Sequence, residues 1–240
     1  WIIAAKFFGL TTSIVSNGTR MSEEWLVKMR PYLDWLGLSI DASNDKLHSL
    51  MGRGLKGEIG TGISRHLERS KEIWQIAQKL EYGLKLNTVV TSVNIDDDMS
   101  ELVEFLKPHR WKVFRVLRIE GENDGRVEPL LISQKNFEDY MIRHRRFLRD
   151  SEGIEIVAED NEDMLGTYAM IDPLGRVYTN LNGQYHYSKS SIIDIGFSAA
   201  WSEVMDGFSN LRFERRGGDW NWNREGVSLP ILDSDIGASI

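Results

Sequence analysis

Three cations and one amide in this chain have the types and spacing to hold an anionic ligand: Arg53, Lys85, Lys112 and Asn87. Read with a period of two, residues 84–90 place Leu84, Leu86, Thr88 and Val90 on one face and Lys85, Asn87 and Val89 on the other. A lysine inside an apolar strand needs a carboxylate or a ligand anion beside it. Unpaired, a buried ammonium loses its proton or costs roughly several kcal/mol. Lys112 opens a later strand in the same way. Snorkelling to solvent is the commoner fate of any single strand lysine, but two at successive strands favour a shared anion. With Arg53 they supply three positive charges, enough to hold a triphosphate at one barrel mouth.

Arg53 lies in a segment, residues 52–62, that holds five glycines. Gly52-Arg53-Gly54-Leu55-Lys56-Gly57 fits the letters GxGxxG, yet about ten residues separate it from the preceding strand, whereas a dinucleotide loop follows its strand at once. The segment therefore reads as a loop that caps a helix, with backbone amides and Arg53 available to an anion as the second use.

The rest of the composition narrows the chemistry. The 240 residues carry a formal charge of −7, with 41% apolar and 27% charged residues, and include no cysteine. The acidic balance argues against a broad nucleic-acid face. Without thiolates the chain cannot by itself build a disulfide framework or an iron–sulfur site. The five histidines show no spacing that puts two on one helix face, so packing is expected of them before metal binding. Asp96, Asp97 and Asp98 read as charges at a helix N-terminus. Glu120 and Glu122 read as part of a strand-end turn. The run Arg143, His144, Arg145, Arg146 and Arg149 reads as a solvated helix face.

The elements that must position these groups alternate. Strands are expected at 11–16, 36–40, 84–90 and 111–119, and helices from Ser22, over 63–80 with Ile63, Leu67, Ile73, Trp74, Ala77 and Leu80 as its stripe, over 99–106 and over 134–148. Such alternation indicates parallel βαβ units, with sites at the C-terminal ends of the strands. Residues 167–179, with Asp172-Pro173-Leu174-Gly175 in the middle, read as a hairpin.

The strings SIVSNGT (13–19), LSIDAS (38–43), the Gly-Arg-Gly at 52–54, RWKVFRVLRIEGEN (110–123) and SKSSIIDIG (188–196) resemble the viperin-like radical SAM nucleotide dehydratases, in the same order and at similar spacing, from about residue 11 to Trp222. The resemblance implies an α/β fold of the radical SAM type: a partial (β/α) TIM-like barrel lacking its first βα units, with a C-terminal hairpin and an irregular tail. It implies a radical SAM barrel portion over 1–150, a hairpin and lid-like extension over 151–222, and a tail of unassigned role over 223–240. The implied activity converts a nucleoside triphosphate, typically CTP, to its 3′-deoxy-3′,4′-didehydro analogue, an antiviral chain terminator.

By the same resemblance Ser39 contacts S-adenosylmethionine and Asn17 lines that cleft. Arg53, Lys85 and Lys112 hold the triphosphate and Asn87 lies beside the nucleotide. Tyr168, in GTYAMID, stands near the sugar and donates a hydrogen or proton. Arg215 and Arg216, at the start of RRGGDWNW, assist where the C-terminal segment folds over the ligand. The family cofactors are S-adenosylmethionine and a 4Fe-4S cluster. The cluster's CxxxCxxC loop belongs upstream of residue 11 in the family, so the chain is expected to be a piece that begins near the third strand, with its first strand at a sheet edge. Iron–sulfur assembly factors would be partners of the parent protein; nucleic acid and a membrane segment are not expected. Cytoplasm is the default compartment, and the endoplasmic reticulum or lipid-droplet surface would require an N-terminal helix. A catalytically inactive nucleotide-binding homologue, and an interaction module without a ligand, are the alternatives.

Overall fold

A computed structural model of the chain describes residues 1–148, 153–216 and 218. Contacts divide these into two compact units, residues 1–113 with 138–158, and residues 114–137 with 159–218.

In the first unit α1 (Ile2–Phe7) leads to β1 (Ser13–Ser16), α2 (Glu23–Met29), β2 (Trp35–Ser39), α3 (Asp45–Leu50), α4 (His66–Lys79), β3 (Gly83–Val90), α5 (Ser100–Leu106), β4 (Arg110–Arg115), α6 (Gln134–Phe147) and β5 (Glu155–Glu159). The strands form one sheet in the order β1-β2-β3-β4-β5, with β1 parallel to β2 and β2 parallel to β3. The sheet stays open, and β1 is its edge, as the family resemblance implied. Lys6, Thr12 and Asp34 tie this edge down. Asp34 is wholly buried and accepts hydrogen bonds from Lys6 Nζ at 2.6 Å and from the Thr12 amide at 2.7 Å.

Register explains which side chains face the core. Leu36 pairs with Leu84 and Leu38 with Leu86, all four buried, while Gly37 pairs with Lys85 and Ser39 with Asn87 on the opposite face. Leu26, Trp74, Leu102 and Val103 are buried as well, each side chain contributing about 1.5–3 kcal/mol through burial. Trp74 Nε1 and Gln78 Nε2 both donate to the Leu106 carbonyl, which finishes α5 from the side of α4. Ser22 caps α2 through a bond from the Trp25 amide.

Several expectations need correction. The helix expected over 63–80 starts at His66, and Ile63 is 73% exposed rather than part of the stripe. The strand expected over 111–119 stops at Arg115. Beyond it Asn123 accepts from the Ile119 amide and donates to the Leu117 carbonyl, turning the chain into a tight loop instead. His144 is not solvated: it is fully buried, and with Phe137, Tyr140 and Met141 it forms the inner stripe of α6, continued by Leu148 just after the helix. Arg143, Arg145 and Arg146 are exposed, and Arg149 lies outside the described residues. Asp97 accepts from both the amide and the hydroxyl of Ser43, and Asp98 caps Ser100, so these acids do more than face a helix dipole.

The second unit holds α7 (Asn161–Met164), β6 (Met170–Ile171), β7 (Arg176–Thr179), β8 (His186–Ser191), α8 (Ile192–Ile195), α9 (Phe197–Ser202) and α10 (Asn210–Arg215). The expected hairpin is present as β6 and β7, joined through Asp172, whose Oδ1 accepts from the Leu174 and Arg176 amides. A third antiparallel strand, β8, was not expected. Val177, Ala200 and Val204 form a small buried core under this sheet, with Ile192 and Trp201 packed against it. No helix among the described residues is long and apolar enough to cross a membrane.

Candidate functional site

The polar face of the first unit's sheet carries most of the candidate residues. Lys85, the third residue of β3, is buried and does not snorkel to solvent. Burial pushes its ammonium down from 10.5 to about 7, with the Lys112 and Arg110 charges adding to the effect. The two lysines named from sequence are therefore brought together. Arg110, which the sequence reading passed over, joins them; it is buried and lies 4.0 Å from Glu155.

Asn87 stands two residues beyond Lys85 on the same face, opposite Ser39. Its Oδ1 is buried and has no hydrogen-bond partner among the described residues. A buried acceptor left in that state is unfavourable by about 1–3 kcal/mol, which a ligand donor would recover. Ser39 ends β2, and its carbonyl lies 3.0 Å from His66 Nε2. Asn17 follows β1, is exposed, and turns its own loop by accepting from the Thr19 amide.

Arg53 is held rather than loose. Its Nε lies 2.5 Å from Asp41 Oδ2, and Asp41 Oδ1 accepts from the Val89 amide at 2.8 Å, so one carboxylate joins the ends of β2 and β3 to this guanidinium. The glycine loop around it is internally occupied. Glu58 accepts from the Leu55 amide and from both terminal nitrogens of Arg69, and the Gly62 amide donates to Ser49 Oγ. The loop thus caps and braces its helix, and Arg53 is the group it contributes to the sheet edge.

Two buried histidines support that edge. His48 Nε2 accepts from the Asp41 and Ala42 amides, and the His48 and His66 rings meet edge to face at 4.8 Å. Burial, with repulsion from His66 and Arg53, holds His48 down from 6.5 to about 3. Burial also lowers His66 and His144. These groups bind fewer protons folded than unfolded below their ordinary value, so stability falls as pH drops through 6.5. Urea midpoints are expected to decline steadily between pH 7.5 and 5. Equal midpoints at the two ends would remove the neutral, accepting histidines from this account.

The second unit, taken by itself, gathers Tyr168 and Arg216 around Glu159. The Tyr168 hydroxyl donates to Glu159 Oε2, and Arg216 Nη1 lies 3.0 Å from Glu159 Oε1. Arg216 also lies 4.4 Å from the Tyr168 ring centroid and donates to the Thr167 carbonyl. Arg215 pairs instead with Asp163 at 2.9 Å. Asp219 to Trp222, the rest of the expected closing segment, and the tail over 223–240 lie outside the described residues.

The geometry defines an α/β protein whose open parallel sheet carries Lys85, Arg110 and Lys112 in the first halves of β3 and β4, Ser39 at the C-terminal end of β2, and Arg53 held by Asp41 just beyond that end. No family model matches the chain. Curated relatives do. An S-adenosylmethionine-dependent nucleotide dehydratase of Flammeovirga pacifica is 39% identical over 220 residues, covering 91% of this chain and 70% of the relative. A protein of the same name from Lacinutrix mariniflava is 34% identical, and one from Danio rerio 32%. The chain spans 44% and 58% of their lengths. Among solved structures, native anSMEcpe with bound AdoMet superimposes with a TM-score of 0.63 at 15% identity, covering 85% of this chain and 59% of that one. Streptococcus suis SuiB bound to S-adenosylmethionine gives 0.54 at 14% identity, covering 90% and 52%. The chain belongs to the viperin-like S-adenosylmethionine-dependent nucleotide dehydratases, and its fold is the radical SAM one.

An iron–sulfur cluster does not fit the residues present. The 240 residues contain no thiolate, and among the described residues no group of three histidines, aspartates or glutamates could hold a metal.

Proposed function

We propose that this chain supplies the nucleotide-binding face of a dehydratase acting on a nucleoside triphosphate, CTP first, to give the 3′-deoxy-3′,4′-didehydro product in antiviral defence. The observation that carries this reading is the cation group of buried Lys85 and Arg110 with half-buried Lys112, two residues along β3 from the unpartnered Oδ1 of Asn87. Anionic phosphates would raise the Lys85 pKa and neutralise the group, while Asn87 would meet a donor on the nucleoside. Arg53 would contribute a further cation from the sheet edge, and Arg215 and Arg216 would assist from the C-terminal extension over 151–222. Ser39 and Asn17, after β2 and β1, would hold S-adenosylmethionine, which supplies the radical chemistry when bound. Tyr168 would donate a hydrogen or proton at the sugar.

The test is thermal denaturation of the chain with CTP, UTP, GTP or ATP and magnesium, in wild type and in a Lys85→Ala, Lys112→Ala double variant. At a hundredfold excess over Kd the stabilisation is about 2.7 kcal/mol. A shift for CTP that the double variant loses is the expected result; folded protein that responds to none of the four sinks the reading. The second reading is a nucleotide-binding homologue without catalysis. A CxxxCxxC found in frame upstream of Trp1 in the coding sequence rejects it.

A further inference from the structure

Glu159 was singled out by nothing in the sequence, yet it joins two of the candidate residues. Its side chain is wholly buried at the end of β5, and a carboxylate there needs partners for both oxygens. One oxygen takes the Tyr168 hydroxyl and the other takes Arg216 Nη1. Arg216 is itself 12% exposed and packs its guanidinium between the Tyr168 and Phe213 rings, at 4.4 and 5.3 Å from their centroids. Its remaining terminal nitrogen donates to the Thr167 carbonyl, one residue before the tyrosine. The phenol is therefore gripped at its oxygen, over its face and through its neighbouring backbone, and each grip leads back to Glu159 directly or through Arg216.

We propose that Glu159 is the positioning residue of Tyr168. Its carboxylate sets the direction of the phenolic O–H and, through Arg216, fixes the end of α10 to the same buried charge. An aromatic ring has only two side-chain torsions, so a hydrogen bond at its oxygen and a cation over its face settle both. The inference rests on the reading above that Tyr168 serves the dehydration at the sugar, and it adds what makes that residue competent. A role confined to stability would predict similar losses whether or not Tyr168 retains its hydroxyl. A positioning role predicts that the two residues act as one unit.

The experiment has two readouts. In the first, the chain is labelled with tyrosine carrying carbon-13 at Cζ, and Tyr168→Phe identifies the Tyr168 resonance among the seven. Glu159→Gln keeps the size and one acceptor but loses the charge that holds Arg216. It is expected to move the Tyr168 resonance and leave the other tyrosines in place. Arg216→Gln, which keeps Glu159, should move the same resonance and covers the case in which Glu159→Gln fails to fold. In the second, protein expressed from its complete reading frame and loaded with cofactors is assayed on the nucleoside triphosphate. Glu159→Gln is expected to lower kcat at least about tenfold with KM within about twofold, and to cost nothing further in a Tyr168→Phe background. A Tyr168 resonance unmoved in both folded variants overturns the proposal. So does an equal kcat loss with and without the tyrosine hydroxyl. If Tyr168→Phe itself leaves turnover intact, the role given to Tyr168 falls and the proposal with it; if Tyr168→Phe abolishes turnover while Glu159→Gln preserves kcat, the proposal alone falls.

Discussion

Lys85→Met is expected to make the chain more stable and nearly unable to bind a triphosphate. Lys85 is buried, and burial together with Lys112 and Arg110 holds its pKa down to about 7 from 10.5. A folded pKa below the unfolded one means that, between about pH 7 and 10.5, the unfolded chain binds a proton that the folded chain does not. This residue's contribution to stability therefore rises with pH through that window, and its unfavourable effect is full below about pH 7. Methionine keeps the length and removes the charge, so the unliganded midpoint should rise, by about 2–4 °C for each kcal/mol relieved in a chain of this size. Affinity for CTP should fall by more than about tenfold, the scale of a charge-assisted hydrogen bond. Calorimetric titration in two buffers of different ionisation enthalpy adds a third reading: wild type takes up protons on binding near pH 8 and the variant does not. A variant less stable than wild type, with its affinity unchanged, would make Lys85 a packing residue.

Asp41→Ala should be among the most destabilising single changes at the sheet edge. The carboxylate is buried and serves the Val89 amide and Arg53 at once, while the Asp41 backbone is held by His48 and by Asn94. Its removal leaves a buried amide and a cation without their acceptor. The expected loss is about 2–4 kcal/mol, below that for a fully enclosed pair because Arg53 is a third exposed. Asp41→Asn retains an acceptor for Val89 and should lose less stability while still loosening Arg53. Urea unfolding of the two variants beside wild type measures both effects, and a loss under about 1 kcal/mol for alanine would show that the edge holds without this carboxylate.

What the sequence made legible was the part governed by local periodicity. The alternation across 84–90 placed Lys85 and Asn87 together on the face opposite the leucines because strand parity admits only two assignments. Short elements were harder. The helix Asp45–Leu50 went unread although Asn44 caps it, accepting from the Leu47 amide, and β5 was missed because only Glu159 in it is fully buried. The charges around His144 hid a regular apolar spacing, Phe137, Tyr140, Met141, His144 and Leu148, that was present in the letters. Contacts distant in sequence left no trace. Arg216 reaches Glu159 across 57 positions, and Asp41 meets Arg53 only because α3 brings the loop back.

The pairing of Gly37 with Lys85 and Ser39 with Asn87 has a consequence for how this chain can change over generations. Lys85, Asn87 and Val89 occupy every second place along β3, and the buried Leu84, Leu86, Thr88 and Val90 fill the alternate places. Losing or gaining one residue inside the strand would turn Lys85 and Asn87 into the leucine layer and bring leucines to the polar face, whereas a change of two would restore the facing at the expense of depth. Substitutions on this surface keep its facing, but odd-numbered insertions and deletions do not. Length variation among descendants should therefore collect in the loops between strands, where no such parity applies.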